Sequence, residues 1–308
     1  MDIILSPFSW LLKVFYNFCG SYGLALILFA LVVKVVLFPL SLKGKRGMIQ
    51  MNMLSGQMQK LQKQYANNRE RYNQEVQKLY EKEKVNPMGG CLWSFIPLII
   101  LMVLYPIIRE PFHYMMGIND VNILDAIAQT VNWGPVALAN GWIREAVDTF
   151  TNTAYNQLYL SSLITPDNLA AVQAAAGEAG ANIFAINFDF LGFADLSQIP
   201  KLQFWTVEGG FGLFILPAIS AALSVVFSLV SMKTNAINQQ TQNSQNNGTM
   251  RTMMIINPII SLWIGFSMPA ALCIYWIANS LFSMIQEFIC AKLLKKDYEK
   301  SAAARAEQ

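Results

Sequence analysis

Thirty-five consecutive residues, Thr252 to Gln286, carry no charge. As one α-helix they would extend about 53 Å at 1.5 Å per residue, well beyond the roughly 30 Å of hydrocarbon in a bilayer. They fit a membrane only if the helix breaks near its middle. Pro269, in Met268-Pro269-Ala270, supplies the break, because proline lacks the donor a helix needs and clashes with the preceding turn. The run therefore predicts two transmembrane helices in a tight hairpin with little chain on the far side.

Three further stretches have membrane length. Tyr22 to Leu42 holds Lys34 as its one charge, and Cys91 to Ile108 and Gly209 to Met232 hold none. Composition agrees: charged residues are 13% of the 308, about half the share of a soluble domain. The expected fold class is all-α, a polytopic membrane protein. A five-helix transmembrane bundle carries a cytoplasmic helical hairpin and a small, mainly helical extracytoplasmic insertion.

Charge between the spans orients them. Residues 43 to 90 hold ten Lys or Arg against four Glu, whereas residues 111 to 210 hold two basic residues against nine acidic ones. By the positive-inside rule the first segment is cytoplasmic and the second is outside. Lys233, Arg251 and the basic tail fall on the inner side, so the N-terminus is expected outside and the C-terminus inside. The expected organisation is an outer interfacial helix (1–20), span 1 (21–42), a cytoplasmic hairpin (43–90) and span 2 (91–110). An outer insertion (111–208), span 3 (209–232), a cytoplasmic loop (233–251), the hairpin of spans 4 and 5 (252–291) and a basic tail (292–308) follow.

Within the extramembrane pieces, Ser6-Pro7 reads as a helix start. Phe8, Leu11, Leu12, Phe15 and Phe18 follow at helical spacing, with Lys13 and Asn17 opposite. Asp2 stands where a signal peptide would be basic, and Tyr16-Asn17-Phe18 lack the small residues of a lipidation site before Cys19, so neither processing event is expected. In the cytoplasmic hairpin, Asn67-Asn68 marks the turn, and Met48, Met51, Leu54, Met58 and Leu61 form an apolar stripe suited to many partners. The insertion is short of aromatic residues in its middle for a large core. A helix is expected over 143–160 and another over 169–176, begun by Thr165-Pro166-Asp167 and ended by Gly177 and Gly180; strands stay open at 183–193. The Gln- and Asn-rich residues 239–247 read as a polar loop.

No catalytic constellation is visible: the chain has one histidine, no GxSxG, no phosphate-binding glycine loop and no carboxylate inside any expected span. Four scattered cysteines make neither a metal nor a disulfide framework. No enzyme activity, metal or cofactor is expected. The informative residue is Lys34, because a charge inside a span is costly and commonly faces a polar cavity. A lysine snorkelling to the headgroups is the plain alternative. Ser220, Ser224 and Ser228 line one face of span 3 at steps of four, read either as a polar lining or as helix-packing contacts.

Several motifs, in order, resemble the YidC, Oxa and Albino-type membrane-protein insertases. They are Tyr22 to Ala25 through Lys34 to Pro39-Leu40, Lys84-Val85-Asn86-Pro87-Met88-Gly89-Gly90-Cys91-Leu92, Phe193-Ala194-Asp195-Leu196-Ser197 and Ile215-Leu216-Pro217. The last hairpin adds Asn257-Pro258, Trp263-Ile264-Gly265-Phe266, Met268-Pro269-Ala270 and Tyr275-Trp276-Ile277. The resemblance implies a hydrophilic groove open to the cytoplasm and to lipid, with Lys34, Ala30, Ser220, Ser224, Ser228, Trp263, Tyr275 and Trp276 along it and Met48, Met51 and Met58 of the hairpin touching substrate or partner. It implies nascent membrane proteins as substrates, with the ribosome, the Sec translocon, the signal recognition particle receptor and the lipid bilayer as partners, in a bacterial cell membrane. Lys34 stands where the family usually has arginine, Ala30 where threonine is common, and Pro97 where glutamine is. The competing reading is a small-solute transporter or channel with a Lys34-lined pore, against which the spans show no internal repeat.

Overall fold

The computed structural model describes residues 2–85, 96–145, 147, 149–206, 210–234, 258–297, 299 and 303. The motif residues 86–92 and the loop residues 239–247 lie outside them. The described chain is mostly helical. Its helices are α1 (Asp2–Cys19), α2 (Tyr22–Met53), α3 (Ser55–Gln64), α4 (Arg69–Lys82) and α5 (Ile96–Arg109). In the insertion come α6 (Val121–Thr130), α7 (Trp133–Ala139), α8 (Asn156–Ser162) and α9 (Leu169–Ala175), followed by α10 (Gly210–Thr234), α11 (Pro258–Ser267) and α12 (Ala270–Leu293). Three of them, Tyr22–Gly47 of α2, Gly210–Ser231 of α10 and α12, are long and apolar enough to cross a membrane; 98–109 and 258–267 are shorter apolar helices. The chain divides into two units, one of residues 1–31, 99–221 and 260–278, the other of 32–98, 222–259 and 279–308.

In the first unit α1 buries Leu5, Ser9, Leu12 and Tyr16 and leaves Ile3, Trp10 and Phe18 exposed, the spacing of an amphipathic helix. It starts at Asp2 and not at Ser6, so Pro7 lies inside it. Proline is tolerated there because only the bond to the carbonyl of Ile3, in the first turn, is lost. The Tyr16 hydroxyl donates to the Ala185 carbonyl at 2.8 Å and accepts from the Asn187 amide at 2.9 Å, which joins α1 to the insertion.

The insertion has more of a core than its composition suggests. Trp142 stacks on Tyr159 at 4.5 Å and 7°, Trp133 packs on Trp142 and Phe150, and the Trp142 indole donates to the Gln198 side chain at 3.0 Å. Burial first, and then the Asp195 charge, push the Tyr159 phenol up to about 12. The helix expected over 143–160 is confined to Asn156–Ser162. Thr149, Thr151 and Thr153 are poor helix formers, and Ala154 takes a positive φ of 47°. The helix from Leu169 ends as expected at Gly177, whose φ is +59°.

Among the described residues strand is limited to β1 (Asp189–Phe190) and β2 (Ala194–Asp195), an antiparallel pair. This small hairpin and the residues flanking it receive the starts of two helices. The Tyr22 amide donates to the Asn187 carbonyl at 3.0 Å, and the Ala270 and Ala271 amides donate to the Gln198 and Leu196 carbonyls at 2.8 and 3.0 Å. The first amides of a helix lack intrahelical partners, so the hairpin supplies the carbonyls that α2 and α12 need. Gly23 lies under Phe190, and Gly212 of α10 lies against the Phe193 carbonyl, where a Cβ would fall 1.7 Å from that oxygen.

In the second unit, α2 continues without a break past Leu42 to Met53. At 32 residues it is about 48 Å long, so its basic end extends beyond a bilayer. α3 and α4 fold back on each other through the connection 65–68, with the Tyr80 hydroxyl 3.3 Å from the Met58 sulfur. Asn68 caps α4 by accepting from the Arg71 amide at 3.0 Å. In the first unit the chain between α11 and α12 breaks at Met268-Pro269, as expected.

Candidate functional site

Lys34 sits in the apolar stretch of α2, between the buried Phe29 and Ala30 and the exposed Val35 and Val36. Its side chain turns to α12: Nζ donates to the Ser283 hydroxyl at 2.7 Å, and that hydroxyl donates to the Asn279 carbonyl at 2.6 Å. An ammonium in a low-dielectric setting needs such a partner, and a hydrogen bond to a charged donor is stronger than a neutral one. Ser283 had no signal in the sequence beyond being a serine on an apolar helix. Asn279 and Ser280, both buried, stand beside it on the same turn.

Farther along the same two helices lies a second polar contact. Lys45 pairs with Glu287, which is 4% exposed, and Arg46 pairs with Asp297 at 3.2 Å. Ile49 and Leu294 are buried against each other, with Leu42 packed on them. The contacts advance along both helices in the same sense, so α2 and α12 run parallel in this unit. Glu287 corrects the expectation that no carboxylate occurs inside a span. It is the first charge after the long neutral run, yet α12 continues to Leu293.

The serine ladder divides. In the first unit Ser220 is buried, donates to the Pro217 carbonyl at 2.9 Å and lies 3.0 Å from the Ser261 hydroxyl, while Gly265 packs against Pro217. This is a close α10–α11 contact made through small residues. In the second unit Ser224 is buried and its carbonyl accepts from Ser228 at 2.9 Å. Among the aromatic candidates of the first unit, Trp263 is 66% exposed, Tyr275 is buried and Trp276 is half-buried. Ala30 is buried one turn before Lys34.

Met48 and Met51 belong to α2 and not to the hairpin, and their side chains lie outside what the structure describes. Met58 is half-buried on α3 against Tyr80. Between α3 and α4 runs an open cleft of about 340 Å³ lined by Leu61 and Leu79 together with Gln57, Glu75, Lys60, Lys78 and Lys82. No group of three His, Cys, Asp or Glu able to hold a metal occurs among the described residues.

The family model of the 60Kd inner membrane protein matches residues 14–297. Curated relatives include proteins named membrane protein insertase YidC. That of Nitrosospira multiformis is 37% identical over 105 residues, 34% of this chain and 18% of the relative. That of Ectopseudomonas mendocina is 32% identical over 127 residues, 40% of this chain and 22% of the relative. That of Methylococcus capsulatus is 38% identical over 130 residues, 41% of this chain and 24% of the relative. The aligned segments thus span a quarter or less of those proteins.

Proposed function

The chain belongs to the 60Kd inner membrane protein family, and from that premise we propose that it is a membrane-protein insertase. It receives nascent hydrophobic spans from the cytoplasm through a polar groove containing Lys34 and releases them into lipid. It is a multi-pass membrane protein, for which we propose five spans, the N-terminus outside and the C-terminus inside. The parallel course of α2 and α12 supports this reading, since spans 1 and 5 of such a chain cross in the same direction.

The observation that carries the function is the Lys34 ammonium held on Ser283 within apolar helices. Transfer of an apolar span from water to lipid is favourable by itself, so the barrier resides in the polar or acidic flank that must follow. A fixed cation lowers that barrier. At about 4 Å and an effective dielectric near 20, a carboxylate and Lys34 attract by about 4 kcal/mol, against about 1 kcal/mol in water, before desolvation is subtracted. The Ser283 hydroxyl is a neutral acceptor that a substrate carboxylate can replace, because the charge-assisted bond is the stronger. Release follows when the span leaves for lipid and Lys34 returns to Ser283.

The ribosome, the Sec translocon and the signal recognition particle receptor are the proposed partners. The α3–α4 hairpin, with its cleft lined by Leu61, Leu79 and three lysines, is the element proposed to meet them or the substrate. The test is site-specific photo-crosslinking from Ser224 to a ribosome-stalled nascent membrane protein. An adduct that depends on the hydrophobic span is expected. No adduct, together with solute flux in liposomes, contradicts the insertase and favours the transporter.

A further inference from the structure

Glu287 is nearly fully buried on an apolar helix and is paired with Lys45. A buried ion pair is a poor source of stability, because desolvation offsets its attraction, and its best-attested use is to fix register. The positions on the two helices show what is being fixed. Lys34 and Lys45 are eleven residues apart on α2, about three turns, so they share a face some 16 Å apart. Their partners Ser283 and Glu287 are one turn apart on α12, about 6 Å. Two flexible lysine stems close the difference by reaching toward each other, so both ammonium groups converge on a single turn of α12. A rotation of α12 by one residue, about 100°, would carry both partners off the face that meets α2.

We propose that Glu287 is a positioning residue: through Lys45 it pins α12 against α2 at the register that places Ser283 on Lys34. The proposal rests on the reading of Lys34 as the substrate-receiving cation. It assigns to Glu287 no contact with substrate. The exposed Arg46–Asp297 pair, open to solvent, is screened and contributes little to the pin.

The experiment uses the full chain in proteoliposomes, with the four native cysteines replaced by serine and Ile49→Cys and Leu294→Cys introduced at the buried α2–α12 contact. Disulfide formation between them reports register. It is measured beside insertion of a substrate with acidic or neutral translocated tails, in the parent, in Glu287→Gln, in the swap Lys45→Glu with Glu287→Lys, and in Lys45→Met with Glu287→Met. Glu287→Gln should slow cross-linking by about fivefold or more and reduce the preference for acidic tails, and the swap should restore both, since the pair and not either residue carries the role. The Met pair removes the buried charges without leaving one unpaired, so it should fold while remaining slow to cross-link. Parent-like cross-linking and tail preference in the Met pair would overturn the proposal, as would a folded swap that restores neither. A parent with no tail preference overturns the reading of Lys34 itself, while the cross-linking arm still decides the pin.

Discussion

Lys34 of α2 donates a 2.7 Å hydrogen bond to the hydroxyl of Ser283 on α12. The contact joins the one charge in the first long apolar stretch to a residue 249 positions away in the chain. It predicts a graded response. Ser283→Ala removes the acceptor and leaves the ammonium, so the folded protein should lose about 1.5 to 3 kcal/mol, the range for a hydrogen bond to a charged group. Insertion should suffer less than in Lys34→Ala, because the cation is still present. Chemical denaturation in detergent beside an insertion assay checks both; an insertion defect equal to that of Lys34→Ala would make Ser283 a substrate ligand.

The β1–β2 hairpin predicts a difference between two glycines. A Cβ at Gly23 would lie 2.2 Å from a ring carbon of Phe190, whereas one at Gly212 would meet the Phe193 carbonyl. Overpacking costs about 1 to 3 kcal/mol where a side chain can yield. Gly23→Ala should therefore be destabilised and recover in part when combined with Phe190→Leu. Gly212→Ala should be worse and should not recover with Phe193→Leu, because the obstacle is backbone. Thermal unfolding of the four variants beside the parent checks it.

Deletion of residues 55–82, with a short Gly/Ser link, should leave an inserted, folded protein that no longer supports insertion of substrates. The cut begins after α2 because Ile49, within α2, packs on Leu294. Trypsin resistance of the remaining chain reports folding. Full activity in the deletion would reduce the hairpin to a spacer.

For topology, Asn67→Cys and Asn152→Cys in a cysteine-free background should react with an impermeant thiol reagent from opposite sides. Asn67 is chosen because Asn68 caps α4. Both positions are exposed. Labelling from one side alone would contradict the proposed five spans.

What could be read from the sequence was set by one-dimensional signals. Freedom from charge marked α2, α10 and α12, proline marked the break before Ala270, and an isolated charge marked Lys34. Its partner was not legible, because Ser283 is a neutral residue whose meaning depends on which helix faces it. Glu287 lies within the expected 252–291 hairpin just past its neutral run, but its partner is not legible there, because Lys45 belongs to a helix distant in sequence. The β1–β2 hairpin that receives the starts of α2 and α12 works through the carbonyls of Asn187, Leu196 and Gln198, and backbone atoms leave no mark in residue identity. The insertion core is hard to read from the sequence because Trp133, Trp142, Phe150 and Tyr159 come singly, eight or nine residues apart, and meet only in space.

The most direct measurement compares insertion of one substrate, with an acidic and a neutral version of its translocated tail, by the parent and by Lys34→Arg, Lys34→Ala and Lys34→Glu. Arginine keeps the charge and adds forked hydrogen bonding, so it should match or exceed the parent. Alanine should slow the acidic tail about tenfold more than the neutral one, which needs only about a third of the ~4 kcal/mol attraction available at the site. Glutamate should be worst for the acidic tail, since attraction becomes repulsion. Alanine equal to the parent for both tails would contradict the role of Lys34 and leave it as an anchor of α2 against α12.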